Sequence, residues 1–425
     1  MEEEVGIQGY LTKTPPVKGR LRVTPEDFIV EEVPKELPIS DDGRFLLVKV
    51  TARNWETNRL VRELSKRLRI SRRRISFSGT KDKRAVTTQT MSFWDVEAEA
   101  ITRVRLKEVK LECQHRTTRG LKLGHLLGNR FCIRLRDVPL SREETSTRMG
   151  NIAREFRIAG GFPNFFGPQR FGERRPISHL VGRALVRGDL HEAVETYLAH
   201  PQPGEPEDAF HAREAYGESG DVAAALKDYP ERLSFEKAIL NQLRRRPRDY
   251  AGALKQLPRN LLTLFVYAYQ ALLFNRILSL RLKMGLSLVE PLEGDLILPM
   301  NRTGIPRRDS SIVVTDANRE KVGEQVKAGK AWISGLILGY EVHFAQGEMG
   351  QLERGVVEEE GVKPEDFAVR AMPRLSSRGL RREILATLRD FSYRVNGDLL
   401  LSFQLDPGCY ATALLREITK GTSPY

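Results

Sequence analysis

Apolar and polar positions repeat every two residues in some stretches of this chain and about every 3.6 in others, and the two periods mark out its elements. In residues 130–136, Phe131, Ile133 and Leu135 point one way and Arg130, Arg134 and Arg136 the other, which predicts a half-buried strand. Ala85, Thr87, Gln89, Met91 and Phe93 share one face of a second strand, and Ile75-Ser76-Phe77 forms a short one before it. Phe45, Leu47 and Lys49 mark another over residues 43–50. Helical spacing instead joins Leu60, Val61, Leu64 and Leu68. It also joins Met149, Ile152, Ala153 and Phe156, after a Ser141-x-x-Glu144 capping box and before the stop at Gly160-Gly161 and Pro163.

Between residues 161 and 386 the texture shifts to longer helical patterns, clearest over 261–282, with the Pro- and Gly-bearing stretch 201–220 read as a loop or linker. Strand character returns over 399–405. Asp406-Pro407-Gly408 turns the chain, and 411–418 reads as helix. A β-rich start, a helical middle and a β-rich end predict one domain interrupted by an insertion. Its parts are residues 1–160, 161–386 and 387–425.

The chain has 425 residues, enough for two or three domains, and 40% of them are hydrophobic. Lys and Arg number 69 against 56 Asp and Glu, an excess of 13 positive charges that suits a polyanionic partner. The longest mostly apolar run, residues 261–274, is shorter than the ~20 residues of a membrane span. An acidic Met1-Glu2-Glu3-Glu4 start is unlike a signal peptide. Cys113, Cys132 and Cys409 are far apart, which fits reduced thiols in a cytoplasmic protein better than a disulfide framework or a zinc ribbon. The sequence contains no H-E-x-x-H, no Walker A loop and no G-x-G-x-x-G, so metal, nucleotide and dinucleotide chemistry are not expected.

Five segments carry candidate chemistry. Gly79-Thr80-Lys81-Asp82-Lys83-Arg84 sets one carboxylate among cations that favour its ionised form, ready to act as nucleophile or base; the same residues also fit a polar hairpin loop. In the segment from Gly161 to Gly172, phenylalanines interleave with glycines and with Arg170, which can grip a phosphate. These rings fit bases or the core equally well. Asn129 has the donor and acceptor needed to read a pyrimidine edge, while Phe131 fits either a stacking face or the apolar face of its strand. Arg22-Val-Thr-Pro-Glu-Asp-Phe28 and Gly408-Cys-Tyr410-Ala-Thr412 look ordinary alone: a turn, and a turn-to-helix junction.

In this order, the five segments resemble the TruD family of tRNA pseudouridine synthases. The matching stretches are Pro25-Glu-Asp-Phe28, Gly79-x-Lys81-Asp82-x-x-Ala85-x-Thr87-x-Gln89, Gly128-Asn129-x-Phe131, Asn164-Phe-Phe-Gly-x-Gln169-Arg170-Phe171-Gly172 and Gly408-x-Tyr410-Ala-Thr412. The resemblance implies an α+β fold: a catalytic domain with a mixed, largely antiparallel sheet, built from both chain ends around an inserted α/β TRUD domain. It implies a cofactor-free, metal-free cytoplasmic isomerase whose substrate is tRNA and whose target is a uridine, at position 13, converted to pseudouridine. Asp82 would be the catalytic carboxylate, by covalent attack on sugar or base or by abstraction of a sugar proton. Phe28, Asn129, Tyr410 and Phe131 would line the uridine pocket. Lys81 adjoins the carboxylate, Arg22 holds a place often taken by lysine, and Arg170 would hold Asp82 ionised or pin a phosphate. The middle region is long for the family's shorter members. The runner-up is a non-catalytic RNA-binding or chaperone protein using the same pocket; a methyltransferase lacks its glycine-rich loop.

Overall fold

The alternation at residues 126–136 is realised as an inner strand of a large mixed sheet. The computed structural model describes residues 2–81, 83–172, 175–301 and 304–421. The chain divides into two compact units, one of residues 12–162 with 386–425 and the other of residues 1–11 with 163–385.

The first unit, the split-chain unit, contains β1 (Arg20–Leu21), β2 (Phe28–Pro34), β3 (Phe45–Arg53), β4 (Ile75–Phe77), β5 (Val86–Trp94), β6 (Val109–Thr117) and β7 (Leu126–Arg136). The first two residues of β8 (Gly161–Pro163) also belong to it. After the four strands of the other unit come β13 (Leu385–Asn396) and β14 (Asp398–Leu405). The strand order is β6-β3-β5-β2-β7-β14-β13-β8, with β1 on β7 and β4 on β5. β2 and β5 run parallel, while β3 with β5, β2 with β7 and β7 with β14 are antiparallel. Both chain ends therefore share one sheet, as β14 from residues 398–405 pairs with β7 from 126–136. The sequence patterns hold in detail: Ala85, Thr87, Gln89, Met91 and Phe93 are all buried, and helix Thr57–Leu68 packs Leu60, Val61 and Leu64 onto β3 and β5. Half of the expected capping box forms. Ser141 accepts from the Glu144 N–H at 3.1 Å, but the Glu144 carboxylate turns to Arg148.

The second, middle unit is organised on helix Arg259–Lys283. Helix Ser178–Arg187 crosses it so closely at Gly182 that a Cβ there would lie 2.0 Å from the Phe265 carbonyl oxygen, so any larger residue would force the helices apart. A four-stranded antiparallel sheet completes the unit in the order β10-β9-β11-β12, with β9 (Leu296–Pro299), β10 (Ile312–Val313), β11 (Ala331–Ile337) and β12 (Leu380–Glu383). Helix Arg259–Lys283 is longer than the apolar run within it because buried polar residues interrupt the pattern. Asn275 is fully buried, and Arg281 is held by both oxygens of an equally buried Asp295 at 2.7 and 2.9 Å. By length and hydropathy the helix could cross a membrane, yet 72% of its most apolar window is buried inside the unit, as for a core helix.

Two expectations differ from the structure. Residues 201–220, read as a loop, contain helix Glu207–Ser219. Pro206 precedes this helix and Gly220 closes it in the left-handed conformation, so the Pro and Gly that suggested a loop act as its boundaries. Ala209, Ala212, Arg213 and Tyr216 form its buried stripe, and Arg213, whose charge masks the period, is neutralised by Glu236 at 2.7 Å and Glu205 at 3.1 Å. Residues 1–11, placed with the first part of the chain on sequence, belong to the middle unit. There the Asn275 amide donates to the Val5 carbonyl at 3.0 Å, Ser279 Oγ donates to Gly6 at 2.7 Å, and Val5 and Ile7 are buried.

His179, in helix Ser178–Arg187, is buried edge-on against Phe171, and burial, with Arg183 and His200 nearby, pushes its imidazole down to about 4. The unfolded chain takes up this proton near pH 6.5, while the folded one resists until about pH 4. Its contribution to stability is therefore complete above pH 6.5 and lost as pH falls toward 4, at up to ~1.4 kcal/mol per pH unit. Thermal unfolding of the wild type and His179→Gln between pH 7 and 4.5 should show a shallower decline in the variant.

Candidate active site

The site is built on β2 and β7 and on the turns that precede and follow strands. The turn before β2 is fixed by Asp27, which is fully buried. Its carboxylate accepts the Thr24 N–H at 2.8 Å and the Arg136 guanidinium at 2.8–2.9 Å. Burial pushes its pKa up, but Arg136 and the Thr24 amide outweigh this and hold it below the ordinary carboxylate range. The turn aims Arg22, whose backbone is left-handed at φ 52°, so that its guanidinium carbon lies 4.0 Å from the centre of the Phe28 ring.

From Phe28 the pleat of β2 places Phe28, Val30 and Glu32 on one face, all buried. In the β2–β7 ladder, Ile133, Phe131 and Asn129 stand opposite them. Phe131 meets Phe28 edge-on at 6.2 Å and stacks on Phe403 of β14 at 5.2 Å. Phe28 is 2% exposed and Phe131 7%, so both rings serve the core while forming the apolar wall beside Asn129. Gly128 lets β14 approach this strand: a Cβ there would lie 2.4 Å from the Leu405 carbonyl oxygen.

Asn129 is the polar end of this face. Its Oδ1 is buried and has no hydrogen-bond partner among the described residues, a costly arrangement for a folded protein acting alone. Glu32 stands directly across the ladder from it. Lys81 joins the same patch. Its Nζ lies 2.8 Å from Glu32 Oε2 with the two side chains 4% and 1% exposed, and its backbone N–H donates to Thr57 Oγ1 at 2.8 Å. Gln89 Oε1 and Thr412 Oγ1, two residues of the matching stretches, are likewise buried polar atoms without a hydrogen-bond partner among the described residues.

Phe28, Arg22, Phe131, Asn129 and Lys81, chosen on sequence, thus converge on one face of the sheet in the split-chain unit. Tyr410 belongs to the same unit. It caps helix Ala411–Thr419, its carbonyl accepting the Ala413 N–H at 3.1 Å, five residues beyond Leu405, the β14 residue paired with Asn129. Asp82, the candidate catalytic carboxylate, lies outside the described residues. Arg170 belongs to the middle unit, its guanidinium carbon 5.5 Å from the Phe166 ring centre. Of the phenylalanines in its segment, Phe162, Phe165 and Phe171 are buried in the core, leaving only Phe166 partly exposed for a ligand. Asn164 is also structural, its amide donating to the Glu383 carbonyl at 3.0 Å and its Oδ1 accepting from Arg382 at 2.7 Å. Sequence reasoning missed Glu32 and Phe403. In sequence Glu32 is one of two adjacent carboxylates after a Phe28-Ile29-Val30 run that does not alternate, so no local signal singles it out.

Among the described residues, no cluster of three His, Cys, Asp or Glu side chains is placed to hold a metal ion. The profile of the tRNA pseudouridine synthase D (TruD) family matches residues 4–418. A Methanococcoides burtonii protein named a probable tRNA pseudouridine synthase D is 41% identical over 431 aligned positions, covering 99% of this chain and 97% of the relative. A Pyrococcus abyssi protein of the same name is also 41% identical, over 97% of this chain and 98% of its own. These coverages make the middle region a shared feature of the archaeal relatives. The crystal structure of a Methanosarcina mazei protein named a putative tRNA pseudouridine synthase D (TruD) superposes with a TM-score of 0.86 at 39% identity, covering 98% of this chain and 97% of that one. Matched over nearly its whole length in sequence and in fold, the chain belongs to the TruD family of tRNA pseudouridine synthases.

Proposed function

We propose that this protein converts a uridine of tRNA, at position 13, to pseudouridine, and that Asp82 is the carboxylate that does so. The observation that carries the reading is the buried Asn129 Oδ1, left without a hydrogen-bond partner among the described residues at the polar end of an aromatic wall, on the sheet face where Lys81 is pinned by Glu32. An everted uracil offers the N3–H this oxygen lacks and a flat apolar face for the wall. Extruding the base from its stack costs a few kcal/mol, which stacking of about 1–3 kcal/mol per base and the new hydrogen bond offset.

The reaction exchanges one bond for another. The N1–C1′ bond breaks, the uracil turns, C5 bonds to C1′, and a proton leaves C5 while N1 gains one. No electrons are gained or lost overall, so the carboxylate needs no second substrate. Attack on the sugar or base and abstraction of a sugar proton both place Asp82 beside the ribose. In this reading the split-chain unit is the catalytic domain and the middle unit the inserted TRUD domain, and the setting is the cytoplasm, where tRNA is processed.

Incubating an unmodified tRNA transcript with the purified protein and mapping pseudouridine chemically tests the function. One new pseudouridine at position 13 is expected. Bound tRNA that stays unmodified would favour the RNA-chaperone reading instead.

A further inference from the structure

The middle unit contains a cavity of about 320 Å³ between helix Arg259–Lys283, the end of β11 and the segment entering β12. Four of its lining residues are arginines (Arg170, Arg308, Arg378 and Arg382) and none is acidic. Cations crowded on one wall repel each other, an arrangement that suits an anionic occupant. Two of the four are held rigidly from behind. Arg382, 5% exposed, stacks over Phe166 at 4.1 Å and donates to Asn164, and Arg308 is held by Glu383 at 2.6 Å. Arg378 reaches outward from the rim with its side chain 76% exposed, its only carboxylate contact among the described residues being Glu341 at 3.5 Å. Beside them Tyr267 is 48% exposed although most of the following turns of its helix are buried, so packing does not account for this ring.

We infer that this cavity binds one nucleotide of the RNA other than the target uridine, its base against Tyr267 and its phosphate held by the arginines. Planar guanidinium forks match phosphate oxygens, and an exposed phenol ring stacks on any base. The volume suits a single nucleotide better than a folded partner. None of its lining residues belongs to the split-chain unit, so it is a second anchoring point for the substrate. The inference rests on tRNA being the substrate.

The test is equilibrium binding of a fluorescent unmodified tRNA transcript across a salt series, read by anisotropy. Tyr267→Ala is expected to weaken binding about 10-fold, whereas Tyr267→Phe, which keeps the ring, retains wild-type affinity. Arg378→Ala should weaken binding and lower the slope of log affinity against log salt by about one. Both side chains are substantially exposed, so the fold should survive, and unchanged melting temperatures verify it. Alanine variants within twofold of the wild type, with the same salt slope, would overturn the inference. Competition by uridine and adenosine 5′-monophosphates separates a nucleotide within RNA from a free one. Only weak millimolar displacement is expected. A tight mononucleotide site abolished by Tyr267→Ala, with tRNA affinity unchanged, would overturn the assignment to RNA. Because binding is read without turnover, a wild type that makes no pseudouridine counts against the proposed reaction and not against this site.

Discussion

Replacing Glu32 with Gln is expected to lower stability by about 3–5 kcal/mol and to abolish most activity with it. The Lys81 ammonium is 4% exposed and 2.8 Å from Glu32. Without that carboxylate a buried cation is left uncompensated, the situation in which removing one partner of an ion pair costs most. In a unit of this size the melting temperature should fall by roughly 10 °C. Replacing both partners, Glu32→Leu with Lys81→Met, removes both desolvated charges and should restore most of the stability. Activity should not return with it, because Lys81 directly precedes Asp82 and its N–H and Nζ tie that strand of chain to Thr57 and to β2. Melting curves and turnover measured on the same three proteins check this. A double variant that is both stable and fully active would reduce the pair to a structural feature.

Much of this architecture is written in the local pattern, and what is missing has identifiable causes. β5 and β7 are legible because each buries one face and keeps period two throughout. β13 does alternate over 391–396, with Phe391, Tyr393 and Val395 half-buried between exposed polar residues, but the period is short because it is broken at a register shift between Arg389 and Ser392, where Asp390 is left-handed. The helix at 207–219 was hidden by a buried arginine whose carboxylate partners come from elsewhere in the chain. Within the candidate site, Asn129 and Phe131 stand on the one face of β7 on which the strand period places them. Glu32 is not legible in sequence, since its role exists only once Lys81 folds onto it. The phenylalanines around Arg170 show the opposite error: a glycine-rich aromatic string suggests stacking surfaces, but three of its four rings fill the core.

Asp82→Asn should have the largest effect on chemistry, a loss of about 10⁴-fold or more in turnover with tRNA affinity nearly unchanged. The amide is close in size to the carboxylate but can neither attack carbon nor take a proton, and removing the reacting group of a site typically costs this much. Affinity for tRNA comes mainly from phosphate contacts spread over many cations, so one altered carboxylate should leave it intact. Should Asn129→Ala, in contrast, raise the concentration of tRNA needed for half-maximal turnover, the two residues would separate into chemistry and recognition.

Release of tritium from tRNA labelled at C5 of uridine follows the reaction at the atom that must lose its hydrogen. Run side by side at saturating protein, the wild type should release one equivalent of tritium from the target uridine, and Asp82→Asn essentially none while still retaining the tRNA on a filter. Tritium release by Asp82→Asn at the wild-type rate, or none by the wild type, would contradict the assignment.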